Sequence, residues 1–372
     1  MIKIGITGQA GFIGTHLFNY LSLKKTEVNL IPFQDYFLEE KDRLEAFVGQ
    51  CDVIVHLAAL NRHNDPQVIY DTNIDLVRQL IAAMESTGSR SHVLFSSSTQ
   101  EERDNVFGRS KGEGRKLLAE WARRTGGTFT GMVIPNVFGP FGKPFYNSVV
   151  ATFSYQLTHD ELPRIEVDAK LKLIYIDDLV RIIYFLIENR IADNEFMITP
   201  SDEAQVTEIL TLLQRFKAQY LEKGIIPDLT DPFERNLFNT FVCYIDHENY
   251  FPFRLKLNSD ERGSFVETVK LNSGGQVSFS TTKPGVTRGN HFHTRKAERF
   301  AVIKGRAQIQ LRRIGTDRVI SFDLDGSEPS YVDMPVWFTH NITNTGSEDL
   351  YTIFWINESY DPGDPDTFFE QV

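Results

Sequence analysis

Three residues near position 290 have the types and the spacing to hold a metal ion. His291 and His293 are separated by one residue, and the carboxylate of Glu298 follows a few positions later. Because successive side chains of a strand point to opposite faces, His291 and His293 share one face and both imidazoles can point into one cavity. A His-x-His pair alone is often surface decoration, so the pattern becomes informative only when further ligands accompany it.

The sequence around these residues resembles the metal-binding cupins. GVTRGNHFHTRKAERFAVIKG has the spacing of the first cupin motif, and PVWFTHNITN resembles the second, although Trp337 occupies a position where glycine is usual. The resemblance adds a third histidine and implies a ligand set suited to a divalent first-row metal, formed by His291, His293, Glu298 and His340. Zinc is the first choice, with manganese, iron and nickel as alternatives. The competing interpretation is a metal that only stabilises the barrel and takes no part in a reaction.

A glycine-rich turn near the start of the chain has the spacing of a phosphate-binding loop. Gly8, Gly11 and Gly14 lie in TGQAGFIG, directly between a strand and a helix. Small residues are needed there because backbone N–H groups must approach a pyrophosphate at the helix N-terminus. A simple tight turn is the alternative, but the position at the start of a βαβ unit favours a dinucleotide.

The elements that must position these residues change type along the chain. Up to about residue 244, apolar strands such as DVIVHLAA and HVLFSS alternate with helical patterns at 12–23, 71–84 and 112–124. This rhythm predicts a Rossmann-like, doubly wound α/β parallel sheet. From about residue 255, short strands such as GGQVSFSTT and DLYTIFWIN, separated by turn residues, predict an all-β cupin barrel. The predicted domains are 1–244 and 245–372, with a connector over 218–239.

Composition argues against several classes of protein. A chain of 372 residues suits two domains, and a formal net charge of −11 argues against a nucleic-acid partner. No stretch approaches about 18 uninterrupted apolar residues, so no membrane span is expected. The start, MIKIGITG, has no signal region, and Cys51 and Cys243 lie far apart, which favours a reducing, cytoplasmic location.

The first domain resembles the extended short-chain dehydrogenase/reductases. Beside the glycine turn it has LAA at 57–59, an asparagine at 73, a serine run at 96–98, PNVFGP and YIDDLV, all in that family's order. The resemblance implies a nicotinamide cofactor held by Gly8, Gln9, Gly11, Phe12, Ile13, Gly14, Leu57, Ala58, Ala59, Asn73 and Lys111. It also implies sugar contacts from Asn136 and Asn147. Pro32 and Phe33 follow the second strand where NAD-preferring members place an acidic residue, which favours NADP. No Arg or Lys follows immediately to hold a 2′-phosphate, so NAD is the alternative.

The catalytic Tyr-x-x-x-Lys of that family is altered in this chain. FGRSK keeps Lys111 but has Phe107 in the place of the tyrosine, whose phenol exchanges the proton during hydride transfer. Three interpretations remain open: an engineered variant of an active enzyme, a natural member that uses another acid, or a domain that only binds. The substitute proton donors are Ser97, Ser98 and Tyr146, and the hydride step is expected to be severely slowed.

Over nearly its whole length the chain resembles bifunctional capsule-synthesis enzymes that form UDP-2-acetamido-2,6-dideoxy-L-talose. The resemblance implies C3 epimerisation of a UDP-4-keto-6-deoxy-amino-sugar in the cupin, where a divalent metal can stabilise an enolate, then NADPH-dependent reduction of the C4 ketone. A further likeness to dTDP-sugar 3,5-epimerases implies sugar contacts by Arg262, Gln276 and Lys283. A homodimer is expected. The alternative is a non-catalytic nucleotide-sugar or NADP-binding protein with a structural metal.

Overall fold

The computed structural model of the chain describes residues 1–261, 263–272, 274–358 and 360–372. It divides into two compact units, each assembled from several stretches of the chain. Unit 1 comprises Met1–Phe138, Gly142–Ser148 and Ala169–Gln205, and unit 2 comprises Gly139–Phe141, Val149–Asp168 and Val206–Val372. The predicted domain boundary at residue 244 lies inside unit 2.

Unit 1 is built on a parallel sheet. Its strands, in chain order, are β1 (Ile2–Thr7), β2 (Val28–Ile31), β3 (Val53–His56), β4 (His92–Ser98), β5 (Thr128–Ile134), β6 (Asn136–Phe138), β7 (Lys170–Tyr175), β8 (Asp193–Met197) and β9 (Asp202–Gln205). Six of them form one sheet in the order β2-β1-β3-β4-β5-β8, and every neighbouring pair is parallel. The order β6-β7-β9 gives a second, smaller sheet.

Helices occur in both units of the chain. They are α1 (Phe12–Ser22), α2 (Lys41–Val48), α3 (Pro66–Thr87), α4 (Val106–Thr125), α5 (Val149–Thr158), α6 (Ile176–Glu188), α7 (Val206–Phe216), α8 (Pro232–Val242) and α9 (His247–Tyr250). One core cluster packs Phe47, Leu80 and Trp121 of α2, α3 and α4 against Phe95 of β4, whereas α1 and α6 pack against each other. This arrangement confirms the predicted doubly wound α/β fold. Within the described residues, no helix combines the length and apolar character needed to cross a membrane.

Two helices begin earlier than predicted, because their N-terminal caps fix the start. The Asp65 side chain accepts a hydrogen bond from the backbone N–H of Gln67, and Pro66 occupies the first turn of α3. The Asn105 side chain accepts from the backbone N–H of Gly108 at 2.7 Å and caps α4. Capping side chains and an N-terminal proline set helix starts independently of apolar periodicity.

Unit 2 joins helices to antiparallel sheets. Helices α5, α7 and α8 pack on one another. The strands are β10 (Ile225–Ile226), β11 (Phe253–Arg254), β12 (Asn258–Asp260), β13 (Gly263–Phe265), β14 (Lys270–Leu271), β15 (Gln276–Thr282), β16 (Thr287–Phe292), β17 (Glu298–Lys304), β18 (Arg306–Arg313), β19 (Val319–Asp325), β20 (Ser330–Met334), β21 (Phe338–Asn344), β22 (Leu350–Ile356) and β23 (Phe368–Phe369). Two five-stranded sheets, β11-β20-β17-β22-β15 and β19-β18-β21-β16-β23, confirm the predicted all-β fold of this part of the chain.

The connector predicted over 218–239 is wrong in part, because its second half is helical. Pro232 opens α8, and the Asp231 side chain accepts from the backbone N–H of Glu234 at 2.9 Å. The helix buries Leu237 and Phe238 completely or nearly so. Proline commonly interrupts regular structure, but Pro232 is the first residue of a helix. At that position the backbone N–H has no hydrogen-bond partner within the helix, so proline loses no hydrogen bond there.

A buried ion pair holds the stretch after α7 against the barrel within unit 2. Nε and Nη2 of Arg299 on β17 donate to the two carboxylate oxygens of Asp333 on β20, at 2.8 and 2.9 Å. Nη1 donates to the carbonyl of Gly224 at 2.8 Å, and the guanidinium carbon lies 3.6 Å from the centroid of the Tyr331 ring. The hydroxyl of Tyr220 also donates to Asp333. Every polar atom of the guanidinium group is thereby directed to a partner or packed on a ring.

Replacement of this arginine should be costly. We expect Arg299→Met to lower the free energy of unfolding by about 3–5 kcal/mol, because the Asp333 carboxylate would stay buried without its partner. The matched control is Arg306→Met, which breaks an exposed pair with Asp325 and should cost at most about 1 kcal/mol. Chemical denaturation compares the two variants, and equal losses would contradict a special role for the buried pair.

Candidate functional site

The glycine-rich turn lies between β1 and α1, and its backbone is packed too closely for side chains. Gly8 has a φ of +68°, and the N–H of Gly11 donates to the carbonyl of Gly8 at 3.0 Å. A Cβ on Gly14 would lie 2.3 Å from that same carbonyl oxygen. No side chain caps α1, and no acidic residue occupies its first turn. The remaining predicted contacts, Gln9, Phe12 and Ile13, belong to this turn, whose N–H groups suit an anionic pyrophosphate.

The loop after β3 lies directly beside the turn. The hydroxyl of Thr7 is 2.7 Å from Nδ1 of His56 and accepts from the backbone N–H of Ala58 at 3.3 Å. A Cβ on Gly8 would lie 2.7 Å from that nitrogen. The predicted cofactor contacts Leu57, Ala58 and Ala59 are thus brought against the glycine turn.

The amide of Asn73 braces this loop against α4. Its Oδ1 accepts from the N–H of Leu60 at 2.7 Å, and its Nδ2 donates to the carbonyl of Leu60 at 3.1 Å and to the hydroxyl of Ser110 at 3.0 Å. The side chain is buried. The structure therefore places Asn73 in contact with the loop and with α4, where it positions the cofactor-binding elements.

Phe107 and Lys111 lie one turn apart on α4. The Lys111 ammonium is buried, donates to the hydroxyl of Ser96 at 3.3 Å, and lies 4.6 Å from the centroid of the Phe95 ring and 5.9 Å from that of Phe107. Burial lowers the pKa of Lys111 to about 7, against the opposing charge of Glu101. The lysine of the family motif is therefore close to the phenyl ring that replaces its tyrosine.

The two predicted substitute donors beside it differ in their hydrogen bonds. The hydroxyl of Ser97 donates to the Glu101 carboxylate, which is held by Arg115 at 2.8 and 2.9 Å. The hydroxyl of Ser98 instead accepts from the backbone N–H of Gln100 at 3.1 Å. Sequence analysis missed Glu101 and Arg115, because a pair 14 positions apart on different elements forms no recognisable motif.

Of the predicted sugar contacts of unit 1, Asn147 lies in a loop that has cationic side chains beside it. Asn136 on β6 donates to the carbonyl of Lys172 at 3.1 Å, and Asn147 is exposed in the loop before α5. Beside it, the Tyr146 ring lies 5.8 Å from the guanidinium of Arg62 and 5.3 Å from the ammonium of Lys143. Two cations at one loop favour an anionic ligand there.

The four predicted metal ligands converge inside the barrel of unit 2. His291 on β16 lies opposite His340 on β21, Glu298 begins β17, and His293 directly follows β16. One ligand atom from each of the four lies within 4.8 Å of all the others. Nε2 of His340 and Nε2 of His293 are 3.0 and 3.5 Å from Oε2 of Glu298.

Backbone hydrogen bonds fix which ring nitrogens face this cluster. Nδ1 of His293 contacts the carbonyl of Asp366, and Nδ1 of His340 lies 3.3 Å from the carbonyl of Phe338. A carbonyl only accepts, so each Nδ1 carries a proton and the Nε2 of a neutral ring presents a lone pair. These two Nε2 atoms and Oε2 of Glu298 are buried and have no partner of normal hydrogen-bond geometry in the described residues. Converging acceptors of this kind fit a divalent cation.

Two of the four groups have the protonation state that a metal requires. Burial, together with the neighbouring histidines, lowers the pKa of His291 to about 4, so its ring is neutral near pH 7. Burial also opposes protonation of His293, but its contact with the Glu298 carboxylate raises the pKa of that imidazole. Burial opposes ionisation of Glu298, but its contacts with His293 and His340 hold the pKa of the carboxyl well below its ordinary value. A neutral imidazole and an ionised carboxylate are the forms that bind a metal.

A bulge in β16 aims the histidines inward. The register of β16 against β21 shifts between Gly289 and His291, and Asn290 between them has a φ of +57°. A bulge of this kind re-aims the side chains that follow it. Here it brings His291 opposite His340 and leaves His293 beyond the end of the strand.

Trp337 adopts the backbone conformation that explains why cupins usually have glycine at its position. Its φ is +63°, in the left-handed region that side chains rarely occupy. Its N–H donates to the carbonyl of His293 at 2.7 Å, and its buried ring stacks on Phe292 with centroids 5.5 Å apart. The stacking and the hydrogen bond offset the cost of the strained backbone.

One face of β15 lies on the same side of its sheet as Glu298 of the His/Glu cluster. Gln276 pairs with Ile356, which in turn pairs with Glu298 across β22. Because side chains alternate along a strand, Ser278 and Ser280 share that face with Gln276. The Nε2 of Gln276 donates to the Ser278 hydroxyl at 3.0 Å. The predicted sugar contact Gln276 is therefore on the same side of the sheet as the cluster.

Of the other predicted sugar contacts of unit 2, Lys283 is not brought to this face. Lys283 follows the end of β15, is exposed, and pairs with Asp349 at 3.0 Å. Arg262 lies outside the described residues. Two side chains of unit 2 that could in principle exchange a proton have other partners: Lys296 is 1% exposed and donates to the carbonyl of Pro365, and Glu267 pairs with Lys270.

The fold and the glycine turn define a class of enzyme, and comparison with known families agrees. The chain belongs to the NAD dependent epimerase/dehydratase family, whose model matches residues 4–198. A second model, the polysaccharide biosynthesis C-terminal domain, matches residues 258–368. The chain is therefore a nucleotide-sugar enzyme of the epimerase and reductase type, with a nicotinamide cofactor.

Individual relatives relate it to capsular polysaccharide synthesis. It is similar to UDP-2-acetamido-2,6-beta-L-arabino-hexul-4-ose reductase of Pseudomonas aeruginosa, with 32% identity over 99% of this chain and 98% of that one. The crystal structure of the capsular polysaccharide assembling protein CapF from Staphylococcus aureus is 35% identical, covers 100% of both chains and has a TM-score of 0.64. The spore coat polysaccharide biosynthesis protein SpsL of Bacillus subtilis is 28% identical over 30% of this chain and 82% of that one.

A charge placed in the glycine turn should expel the cofactor. We expect Gly11→Asp to weaken NADPH binding by about tenfold or more, because it adds an anion at the start of α1. Gly11→Ala is the control: a Cβ there would meet only the Gly8 carbonyl, at 3.2 Å, so the turn can still form. Fluorescence titration measures both, and equal affinity of the parent and Gly11→Asp for NADPH would refute the site.

Proposed function

We propose that the chain is a bifunctional enzyme of capsule or O-antigen precursor synthesis that acts on a UDP-4-keto-6-deoxy-amino-sugar. Unit 2 would epimerise C3, and unit 1 would then reduce the C4 ketone with NADPH. The observation that carries the proposal is that one chain contains a glycine turn, the retained Lys111 and a converging His/Glu cluster, and is similar over nearly its whole length to a UDP-sugar reductase. The homodimer and the cytoplasmic location remain predictions.

In unit 1 the cofactor would supply the hydride, and the protein would bind, orient and protonate. The glycine turn offers backbone N–H groups to the pyrophosphate, and Lys111 is fixed by the Ser96 hydroxyl at 3.3 Å. NADP is favoured over NAD on the sequence alone. Because Phe107 has no ionisable proton, the ketone oxygen must receive its proton from another group.

Ser98 is the better placed of the two neighbouring serines for that proton. Its oxygen accepts from the backbone N–H of Gln100, so its own proton stays available to a ligand. The proton of Ser97 is already directed to Glu101. A hydroxyl is a far weaker acid than a phenol beside a lysine, so reduction with Phe107 should be slow.

In unit 2, His291, His293, Glu298 and His340 would hold one divalent ion, with zinc as the first choice and manganese, iron or nickel as alternatives. Such an ion polarises a bound ketone oxygen and acidifies the neighbouring C–H bond. The polar face of β15 would orient the sugar beside it. Lys296 is 1% exposed, and its ammonium is directed to the carbonyl of Pro365 in the C-terminal tail at 2.8 Å.

A second candidate function is a non-catalytic nucleotide-sugar or NADP-binding protein whose metal is structural. The observation in its favour is Phe107, which removes the usual proton donor while the cofactor turn is retained. Turnover of the keto sugar separates the two functions, because a binding protein yields no product at any cofactor concentration.

Restoring the phenol should restore reduction. We expect Phe107→Tyr to raise the rate of NADPH oxidation with the UDP-4-keto sugar by about a hundredfold or more, the usual scale for a positioned general acid. Phe107→Leu changes the ring without adding a proton donor and should give no gain. If substrate binds and Phe107→Tyr reacts no faster than the parent, another residue supplies the proton or unit 1 is not a reductase.

The epimerisation should proceed without hydride transfer. In D₂O, the protein as it stands should exchange the C3 hydrogen of the keto sugar for deuterium, and removal of the metal by a chelator should stop this exchange without reducing NADPH affinity. Mass spectrometry of the recovered sugar measures the exchange. A His291→Ala, His293→Ala double variant that is folded, metal-free and still exchanges at the parental rate would make the metal structural only.

A further inference from the structure

The C-terminal tail, residues 360–372, packs against the strand that carries the metal-site histidines. Strand β23 pairs antiparallel with β16, so that Phe369 lies opposite His291 and Phe368 lies opposite Phe292. The N–H of Glu370 donates to the carbonyl of Asn290 at 3.0 Å. The tail is therefore an integral strand of the barrel beside the cluster.

Asp366, just before β23, is the most tightly held residue of this tail. It is 4% exposed, and its carboxylate accepts from the hydroxyl of Thr294 at 2.6 Å and from the backbone N–H groups of Thr294, Arg295 and Lys296 at 3.0–3.2 Å. No other acidic side chain of the tail is buried to this extent among the described residues. Its φ of +41° is one that aspartate and asparagine tolerate better than most residues.

The same residue contacts a metal ligand through its backbone. The carbonyl of Asp366 accepts from Nδ1 of His293, while its carboxylate grips the three residues that follow His293. Those three residues lead, after Ala297, to Glu298, the next ligand along the chain. Asp366 thus fixes the short segment that separates two ligands of the cluster and holds one ligand ring directly.

We infer that Asp366 is a positioning residue for the metal centre, an inference that rests on the proposed metal site of unit 2. By accepting from Nδ1, its carbonyl fixes the tautomer of His293 that presents Nε2 to the ion. By accepting three backbone N–H bonds, its carboxylate stops the 294–296 segment from rotating the two ligands out of register. Metal affinity therefore depends on a residue that does not touch the metal.

The surrounding contacts supply a matched control within the same tail. Asp364, two residues earlier, pairs with Arg295 through an exposed contact at 2.8 Å. It belongs to the same segment and carries the same charge, but it touches neither His293 nor the backbone of 294–296. A change at Asp364 thus tests the electrostatic contribution of the tail without disturbing the hydrogen bonds that Asp366 makes to residues 294–296.

The experiment measures zinc affinity of the full-length apoprotein by competition with a chelating dye. Asp366→Gly keeps the left-handed backbone accessible and removes the carboxylate that holds residue 366, and with it the carbonyl facing His293, against the 294–296 segment. We expect it to weaken zinc binding by about tenfold or more, the scale of disturbing an outer-shell partner of a ligating histidine. Asp366→Asn should lie between this variant and the parent. Asp364→Asn should bind zinc as the parent does.

Thr294→Val removes one hydrogen bond of Asp366 by a change in its partner residue. Because the tail sequence stays intact, this variant remains informative if a tail variant fails to fold. It removes the hydroxyl that donates to Asp366 at 2.6 Å while preserving side-chain shape, and zinc affinity should fall several-fold. Side-chain ¹⁵N–¹H NMR of the zinc-free protein, recorded at a pH at which the His293 ring is neutral, should show His293 protonated at Nδ1 in the parent and a mixture of tautomers in Asp366→Gly.

The outcomes separate this inference from the function on which it rests. Parental zinc affinity in Asp366→Gly or, if that variant does not fold, in both Asp366→Asn and Thr294→Val, overturns the positioning role. If the His291→Ala, His293→Ala variant also binds zinc with parental affinity, the ion binds elsewhere and the proposed metal site itself is wrong. Loss of affinity in Asp364→Asn equal to that in Asp366→Gly assigns the effect to charge alone and also overturns the inference.

Discussion

Three hydrogen-bond acceptors that face one another inside a barrel have no neutral arrangement of low energy. The Nε2 atoms of His293 and His340 and the Oε2 atom of Glu298 are all buried, with desolvated lone pairs directed at one point. Either a cation occupies that point or a histidine takes up a proton. Asn290 and Trp337 both have a positive φ, a conformation that raises the free energy of the backbone. Packing of the surrounding strands offsets this strain and holds the three acceptors in place.

Unit 1 poses the opposite problem, a buried cation with few acceptors. The Lys111 ammonium has the hydroxyl of Ser96 and the faces of Phe95 and Phe107 around it, where the family motif would provide a phenol. Ring faces attract a cation only weakly compared with a phenolic oxygen. The ammonium consequently holds its proton less tightly than an exposed lysine does. The lysine of the motif is preserved, whereas its phenol is replaced by a ring without a proton donor.

Local patterns predicted the parts of this protein that depend on neighbours in sequence. Periodicity identified the parallel sheet, and motif spacing identified the four residues that converge in the barrel. The starts of α3 and α4 were missed because capping by Asp65 and Asn105 leaves no periodic signal. Asp366 was out of reach because its partners lie about 70 positions earlier and are mostly backbone groups, which any sequence possesses.

The chain passes between the two units several times, and this limits how a barrel could be exchanged between related proteins by recombination. Helices α5, α7 and α8 belong to unit 2, so the polypeptide enters and leaves that unit more than once before the barrel begins. A barrel that begins at residue 245 would contain the Arg299–Asp333 ion pair. It would lack two hydrogen-bond partners of that pair, the Tyr220 hydroxyl and the Gly224 carbonyl. Exchange of catalytic modules by a single crossover is therefore disfavoured at that point. Such crossovers should succeed only where the donor also contributes the helices, which ties the inheritance of the barrel to that of the segments before it.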